Sequence, residues 1–158
     1  MEKELVLEFK RKVVEAFIEK FEKEIEELKK QLEQLSEDIK TAPSRMESRY
    51  DSRRQELSYL QSGYQQKLIS LLEDLDILKS LPIEKKDKVE KGALIKTSDN
   101  DYFLILDCCG GKEVEVDGKT ITILATYSPL YEDELKSKKE GEVFRYPTGW
   151  KSIVEEIV

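Results

Sequence analysis

Arg45, Arg49 and Arg53 recur every fourth residue, and Arg54 adjoins them, in a chain of 158 residues with a formal net charge of -7. On a helix this spacing lays three guanidinium groups along one face. A basic stripe in an otherwise acidic protein reads either as a solvated helix face or as a contact for phosphate or other anionic groups of a partner. Two carboxylates, Glu47 and Asp51, lie in the same stretch one helical turn apart and also share a face. Ser44-Arg45-Met46-Glu47 has the form of a capping box, which gives Glu47 a structural role, and Asp51 has neighbouring arginines to pair with.

The rest of the inventory excludes more than it offers. The chain contains no histidine, which removes the catalytic triad, the usual zinc sites and imidazole acid–base chemistry. The two cysteines, Cys108 and Cys109, are adjacent. They cannot staple distant segments or build a four-ligand zinc site alone, and they read as ordinary thiols of a reducing compartment or as a vicinal redox pair. No phosphate loop, metal-ligand spacing or nucleophile–base pair appears in the sequence, so no enzymatic chemistry of the chain's own is expected. Its negative charge argues against duplex DNA or an anionic membrane as the main partner. There is no apolar run long enough to span a bilayer, and the first twelve residues lack a signal-peptide block, so a cytoplasmic location is expected.

The arginines need a rigid carrier, and the sequence on both sides supplies one. Val14, Ile18, Phe21, Ile25, Leu28, Leu32, Leu35 and Ile39 alternate at spacings of four and three, the seam of a left-handed coiled coil. After a break at Pro43 the pattern resumes through Tyr50, Leu57, Leu60, Tyr64, Leu68, Leu71, Leu75 and Leu78. Two seams of similar length across so short a break predict an antiparallel hairpin, with arms of roughly 50 Å. Leu28, Leu32, Leu57, Leu60 and Tyr64 are expected between the arms. Pro43 ends the first arm and the second runs from Arg45 to about Ser80, ahead of Leu81-Pro82. The early cluster Leu5, Val6, Leu7 and Phe9 is apolar on more than one side and is expected to lie under a second domain.

Beyond a charged linker the period changes to two. Ala93–Lys96, Tyr102–Leu106, Glu113–Val116, Ile121–Leu124, Glu142–Tyr146 and Lys151–Val158 read as strands. Asp117-Gly118 is a hairpin signal, and Ser128-Pro129 starts a short helix to Lys136. The expected class is α+β: a coiled-coil hairpin over residues 1–81, a linker over 82–88, and a small antiparallel sheet domain with one short helix over 89–158.

This layout resembles the bacterial Gre-type transcript cleavage factors, and short motifs carry the likeness. Ser128-Pro129-Leu130, Leu135 and Lys138-Lys139-Glu140-Gly141-Glu142-Val143 resemble the family's S-P-[IL]…L-x-G-K-x-x-G-D-x-V run, and Val89-Glu90-Lys91-Gly92-Ala93 resembles the V-x-x-G-S/A that opens its FKBP-like domain. Tyr50 and Arg54 are similar to the tyrosine and basic residue just after the family's tip. The resemblance implies a factor that puts its hairpin down the secondary channel of RNA polymerase and meets the nascent RNA 3′ end there. Arg45, Arg49, Tyr50, Arg53 and Arg54 would be the tip contacts; Ser128, Pro129, Leu130 and Gly141 would face the channel rim. The family's tip acids help the polymerase hold a second Mg²⁺ that activates water, so the chain would need no cofactor of its own. Here the tip departs from the family: with Tyr50 on the family tyrosine, Pro43 and Met46 stand where the two acids belong. Glu47 and Asp51 would be a relocated Mg²⁺ pair, and the factor is expected to stimulate cleavage weakly or not at all. A coiled-coil chaperone or interaction module is the rival reading. A prolyl isomerase rests on fold analogy alone.

Overall fold

The computed structural model describes residues 5–41 and 48–158, with side chains for all of these but 41 and 48–52. Two long helices come first, α1 (Leu7–Thr41) and α2 (Ser48–Lys79). The chain divides into two compact units, Glu19–Ile77 and the combination of Met1–Ile18 with Leu78–Val158.

In the helical unit, Phe21, Ile25, Leu28 and Leu35 are buried on α1, and Leu57, Leu71 and Leu75 on α2. Leu32, Tyr64 and Leu68 are half-buried. Leu60, expected in the seam, is instead 46% exposed. Its place is taken by Gln61, half-buried, whose side-chain amide donates to the Ser36 hydroxyl on the other arm at 2.9 Å. The reason is geometric. Leu57, Gln61, Tyr64, Leu68, Leu71 and Leu75 keep the four-three alternation unbroken, whereas Leu60, Tyr64 and Leu68 would put two spacings of four in succession and turn the stripe away from its partner. The period outranks the hydrophobicity of one leucine. With only residues 42–47 between them, the arms return antiparallel.

The second unit is a six-stranded sheet: β1 (Leu94–Thr97), β2 (Tyr102–Leu106), β3 (Glu113–Val116), β4 (Lys119–Ala125), β5 (Val143–Arg145) and β6 (Lys151–Ile157), in spatial order β3-β4-β2-β1-β6-β5. All six strands are where the alternation puts them, to within a residue or two; the largest difference is at β4, which extends beyond the expected Ile121–Leu124 at both ends. The expectation of an all-antiparallel sheet is corrected at one place, because β2 and β4 run parallel, from Tyr102↔Ile121 to Leu106↔Ala125. Burial explains the exchange. Ile121, Ile123 and Ala125 of β4 are buried, whereas Glu113 and Glu115 of β3 are exposed. The chain therefore sends β3 to the edge and folds β4 back beside β2. The hairpin joining them turns on Asp117 (φ 52°) and Gly118 (φ 77°). Two consecutive positive φ values are those of a type I′ turn, which matches strand twist.

Register divides the sheet's side chains between two faces. Ile95, Phe103, Ile105 and Leu124 share one face, where Ile95 and Ile105 join Val89, Ala93, Tyr131, Leu135, Phe144, Val154 and Ile157 in the main core. Leu94, Lys96, Tyr102, Leu104, Leu106, Ile121 and Ile123 occupy the other. The start of α1 lies against this second face: Lys12 is 3.5 Å from Asp117, and the Lys119 ammonium sits 5.1 Å from the centre of the Phe9 ring. Of the four apolar residues expected under the second domain, Leu5 and Phe9 are buried, Leu7 is half-buried and Val6 is 48% exposed; Val13 and Phe17, which lie off the seam, are buried as well. Cover on both sides explains why Tyr102-Phe103-Leu104-Ile105-Leu106 is apolar throughout rather than alternating.

The expected short helix is a π-helix over Leu130–Leu135. Its closing bond, from the Lys136 amide to the Tyr131 carbonyl at 2.8 Å, spans five residues. Among the described residues no helix is long and apolar enough to cross a membrane.

Candidate functional site

Two regions carry the residues singled out by sequence. On the hairpin, Arg45 and Glu47, together with Pro43, Ser44 and Met46, lie outside the described residues. Arg49, Tyr50 and Asp51 belong to the first turn of α2, where their backbone is helical. Arg53 and Arg54 are described fully. Arg53 is exposed and Arg54 is half-buried. Arg54 sits three residues before Leu57, which extends the seam pattern by one step and turns its stem toward the opposite arm. The two neighbours thus divide: Arg53 faces solvent, while Arg54 borders the seam. The acidic residues near the end of α1 are in part tied locally, since the Gln34 amide donates to Asp38 at 3.0 Å.

In the sheet domain, Ser128, Pro129 and Leu130 open the π-helix and Gly141 follows it. The Ser128 hydroxyl accepts the Tyr131 amide at 3.3 Å and its carbonyl accepts the Glu132 amide at 3.0 Å, so Ser128 satisfies two donors at the helix start. Pro129 has φ -57°, the value its ring imposes. Leu130 packs against the main core and Tyr131 and Leu135 are buried in it. The return from the helix is pinned to the linker side: the Val89 amide donates to Lys138 at 2.7 Å and the Ser137 amide to Val89 at 2.9 Å. Gly141 adopts φ 89° and its amide donates to Val154 at 2.7 Å. A side chain there would meet no neighbour, so glycine answers to the backbone and not to crowding. The segment is therefore a rigid ridge with exposed Tyr127, Pro129, Glu132 and Asp133 along it. Acids and an aromatic ring are displayed there on fixed backbone, with Lys136 3.9 Å from Glu132.

Sequence spacing missed the most unusual group in this unit. Lys10, on the first turns of α1, has no exposed surface. Its ammonium donates to the Glu84 carbonyl at 2.7 Å and to the Val158 carbonyl at 2.9 Å, so it ties α1 to the linker and to the end of the sheet. Burial, helped by the Lys86 charge, pulls its pKa down to about 8 against the opposing Glu84 carboxylate. Nothing in the alternation of Lys and Glu along α1 distinguishes Lys10 from its solvated neighbours. A cleft of about 750 Å³ lies close by, and its charged lining balances three lysines (Lys85, Lys86, Lys139) with three acids (Glu8, Asp87, Glu140). That balance selects no sign of ligand. Two further ties hold the loops of the sheet: the Tyr146 hydroxyl donates to Asp101 at 2.6 Å and the Trp150 indole to Asp99 at 3.2 Å. Burial, then the bond to Asp101, pushes the Tyr146 phenol well above its ordinary value.

No family model matches the chain, and no curated protein does. Among solved structures it is similar to GreA factor homolog 1 (Gfh1) of Thermus thermophilus, at 15% identity and a TM-score of 0.35 over 89% of this chain and 94% of that one. It is similar also to Thermus aquaticus Gfh1, at 15% identity and a TM-score of 0.35, over 90% and 94% of the two chains.

Proposed function

We propose that this chain is an RNA polymerase-binding elongation factor of the Gre type, which inserts its hairpin into the secondary channel and modulates backtracking. The observation that carries the reading is the order of parts in one chain. An antiparallel hairpin with arginines beside its turn is followed by a sheet domain bearing the Ser128-Pro129-Leu130 and Gly141 motif on a pinned ridge. In this reading Arg45, Arg49, Tyr50, Arg53 and Arg54 meet RNA phosphate or acidic channel walls, and the ridge of Ser128 to Gly141 meets the rim. The donor set does not fit the family's Mg²⁺ role: Pro43 and Met46 offer no hard oxygen at the family positions. No catalytic step is routed through a metal here, and the factor acts by occupying the channel, not by assisting cleavage. Glu47 and Asp51 are the carboxylates that would reverse this if the hairpin sat about one helical turn deeper.

Stalled, backtracked elongation complexes given saturating protein and Mg²⁺ decide between these outcomes. Co-sedimentation with core polymerase is expected, weakened at least tenfold by Arg49→Glu with Arg53→Glu, and with no increase in short 3′ RNA release. Brisk release abolished by Glu47→Ala or Asp51→Ala refutes the channel-blocking role. Suppression of client aggregation with no polymerase binding favours the chaperone reading.

A further inference from the structure

Cys108 and Cys109 are absorbed by none of this, and their geometry is unusual for two adjacent thiols. The Sγ atoms are 2.9 Å apart, and both residues are half-buried, within reach of a small reagent. Successive side chains in an extended segment point to opposite sides. Here the backbone bends to bring them together, and Cys109 adopts φ 64°, an uncommon region for a residue other than glycine. The surrounding fold holds that conformation in place. Before the pair, the Leu106 carbonyl accepts the Thr126 amide at 2.9 Å, and Asp107 is bound to Lys91 at 2.9 Å. After it, the Gly111 amide donates to the Ile123 carbonyl at 2.9 Å and the Lys112 carbonyl accepts the Ile123 amide at 2.8 Å. Gly110 lies flush against β4, where an added Cβ would be 3.0 Å from that of Ala125. The loop is pinned on both sides, and an outlying backbone conformation that its surroundings maintain is a pointer to use.

We propose that Cys108–Cys109 is a dithiol modification site that reacts as a unit with low-molecular-weight disulfides. One thiolate attacks a sulfur of the reagent RSSR, forming a mixed disulfide and expelling the first RS⁻, which takes up the proton lost by the cysteine. The neighbouring thiol, already in contact, displaces the second RS⁻ and loses its own proton to it. The net change is two thiols and RSSR converted to a ring disulfide and two RSH, with the pair oxidised and the reagent reduced. Closing the bond requires the sulfurs to approach by about 0.9 Å, toward the usual length of about 2.05 Å. The second step is intramolecular between groups already held together, so it outpaces release of a mixed disulfide into solution. The chain has no other cysteine to resolve the intermediate.

Full-length protein incubated with oxidised glutathione at mildly alkaline pH is expected to lose about 2 Da in intact mass, with no lasting glutathione adduct. The tryptic peptide ending at Lys112 should carry the two-hydrogen loss, a readout that needs no variant. Cys109→Ser and Cys108→Ser should each stop at one stable glutathione adduct, because the resolving thiol is gone. Wild-type protein that keeps a glutathione adduct, forms disulfide-linked dimers, or remains fully reduced overturns the proposal.

Discussion

Replacing Lys10 by methionine tests whether a buried ammonium, rather than a solvated one, joins α1 to the linker and the end of the sheet. The side chain has no exposed surface, and its pKa falls from the ordinary 10.5 to about 8. Between those two values the unfolded chain retains the proton on Lys10 while the folded chain has released it. The unfolded state then binds more protons, and stability rises with pH through the window. Lys86 and Glu84 carry the charged side chains that act on Lys10; Lys86 is held protonated by its hydrogen bond to Glu84 and does not titrate there. At about 1.4 kcal/mol per unit, two-state linkage gives wild-type protein a gain of about 2 kcal/mol from about pH 7.5 to about pH 9.5. A neutral amine still has two N–H groups for the carbonyls of Glu84 and Val158, so deprotonation sheds the charge without losing either bond. Lys10→Met has no proton to release and leaves both carbonyls without that donor. Near neutrality the lost bonds, at about 1–3 kcal/mol, are set against relief from burying a charge, so the two proteins should be of similar stability. Toward about pH 9.5 the wild type should pull ahead by about 2 kcal/mol. Urea unfolding followed by far-ultraviolet circular dichroism across that range measures the difference, in which other titrating groups cancel. Parallel curves would mean that Lys10 is solvated in its ordinary way, and the reasoning fails.

The seam assignment predicts unequal costs for two neighbouring leucines: about 2–4 kcal/mol for buried Leu57→Ala and under about 1 kcal/mol for exposed Leu60→Ala. Thermal unfolding of the two variants checks it, and equal losses would restore Leu60 to the interface. At the β3–β4 turn, Gly118→Val should destabilise by about 1–3 kcal/mol because its φ of 77° excludes a β-branched residue, while Gly118→Asn should recover most of the loss. If the valine and asparagine variants unfold alike, the turn is not of the I′ type.

Much of this architecture was legible because its signals are local. The four-three alternation from Val14 to Ile39 specifies a helix that needs a partner, and Leu57 to Leu75 supplies one; both follow from 3.6 residues per turn and need no distant information. The Asp117-Gly118 turn is equally local, since the backbone conformation it requires is one that few residue pairs accept. Of the candidate site, sequence placed Arg49, Arg53 and Arg54 on α2 and Ser128 at the start of a helix, but not the divergence of Arg53 and Arg54 between solvent and seam. What remained hidden depends on neighbours far away in the chain. Gln61 displaces Leu60 because the opposite arm fixes where the stripe must run and presents Ser36. β4 lies parallel to β2 because the interior takes Ile121 and Ile123 and leaves Glu113 and Glu115 to the edge. Lys10 is buried because the linker and the last strand close over it and offer two carbonyls. The Cys108–Cys109 contact exists because Lys91 and Thr126 hold the loop before the pair and β4 holds it after. Periodicity is a property of the chain, whereas burial and hydrogen-bond partnership are properties of what the chain meets, and only the folded molecule decides those.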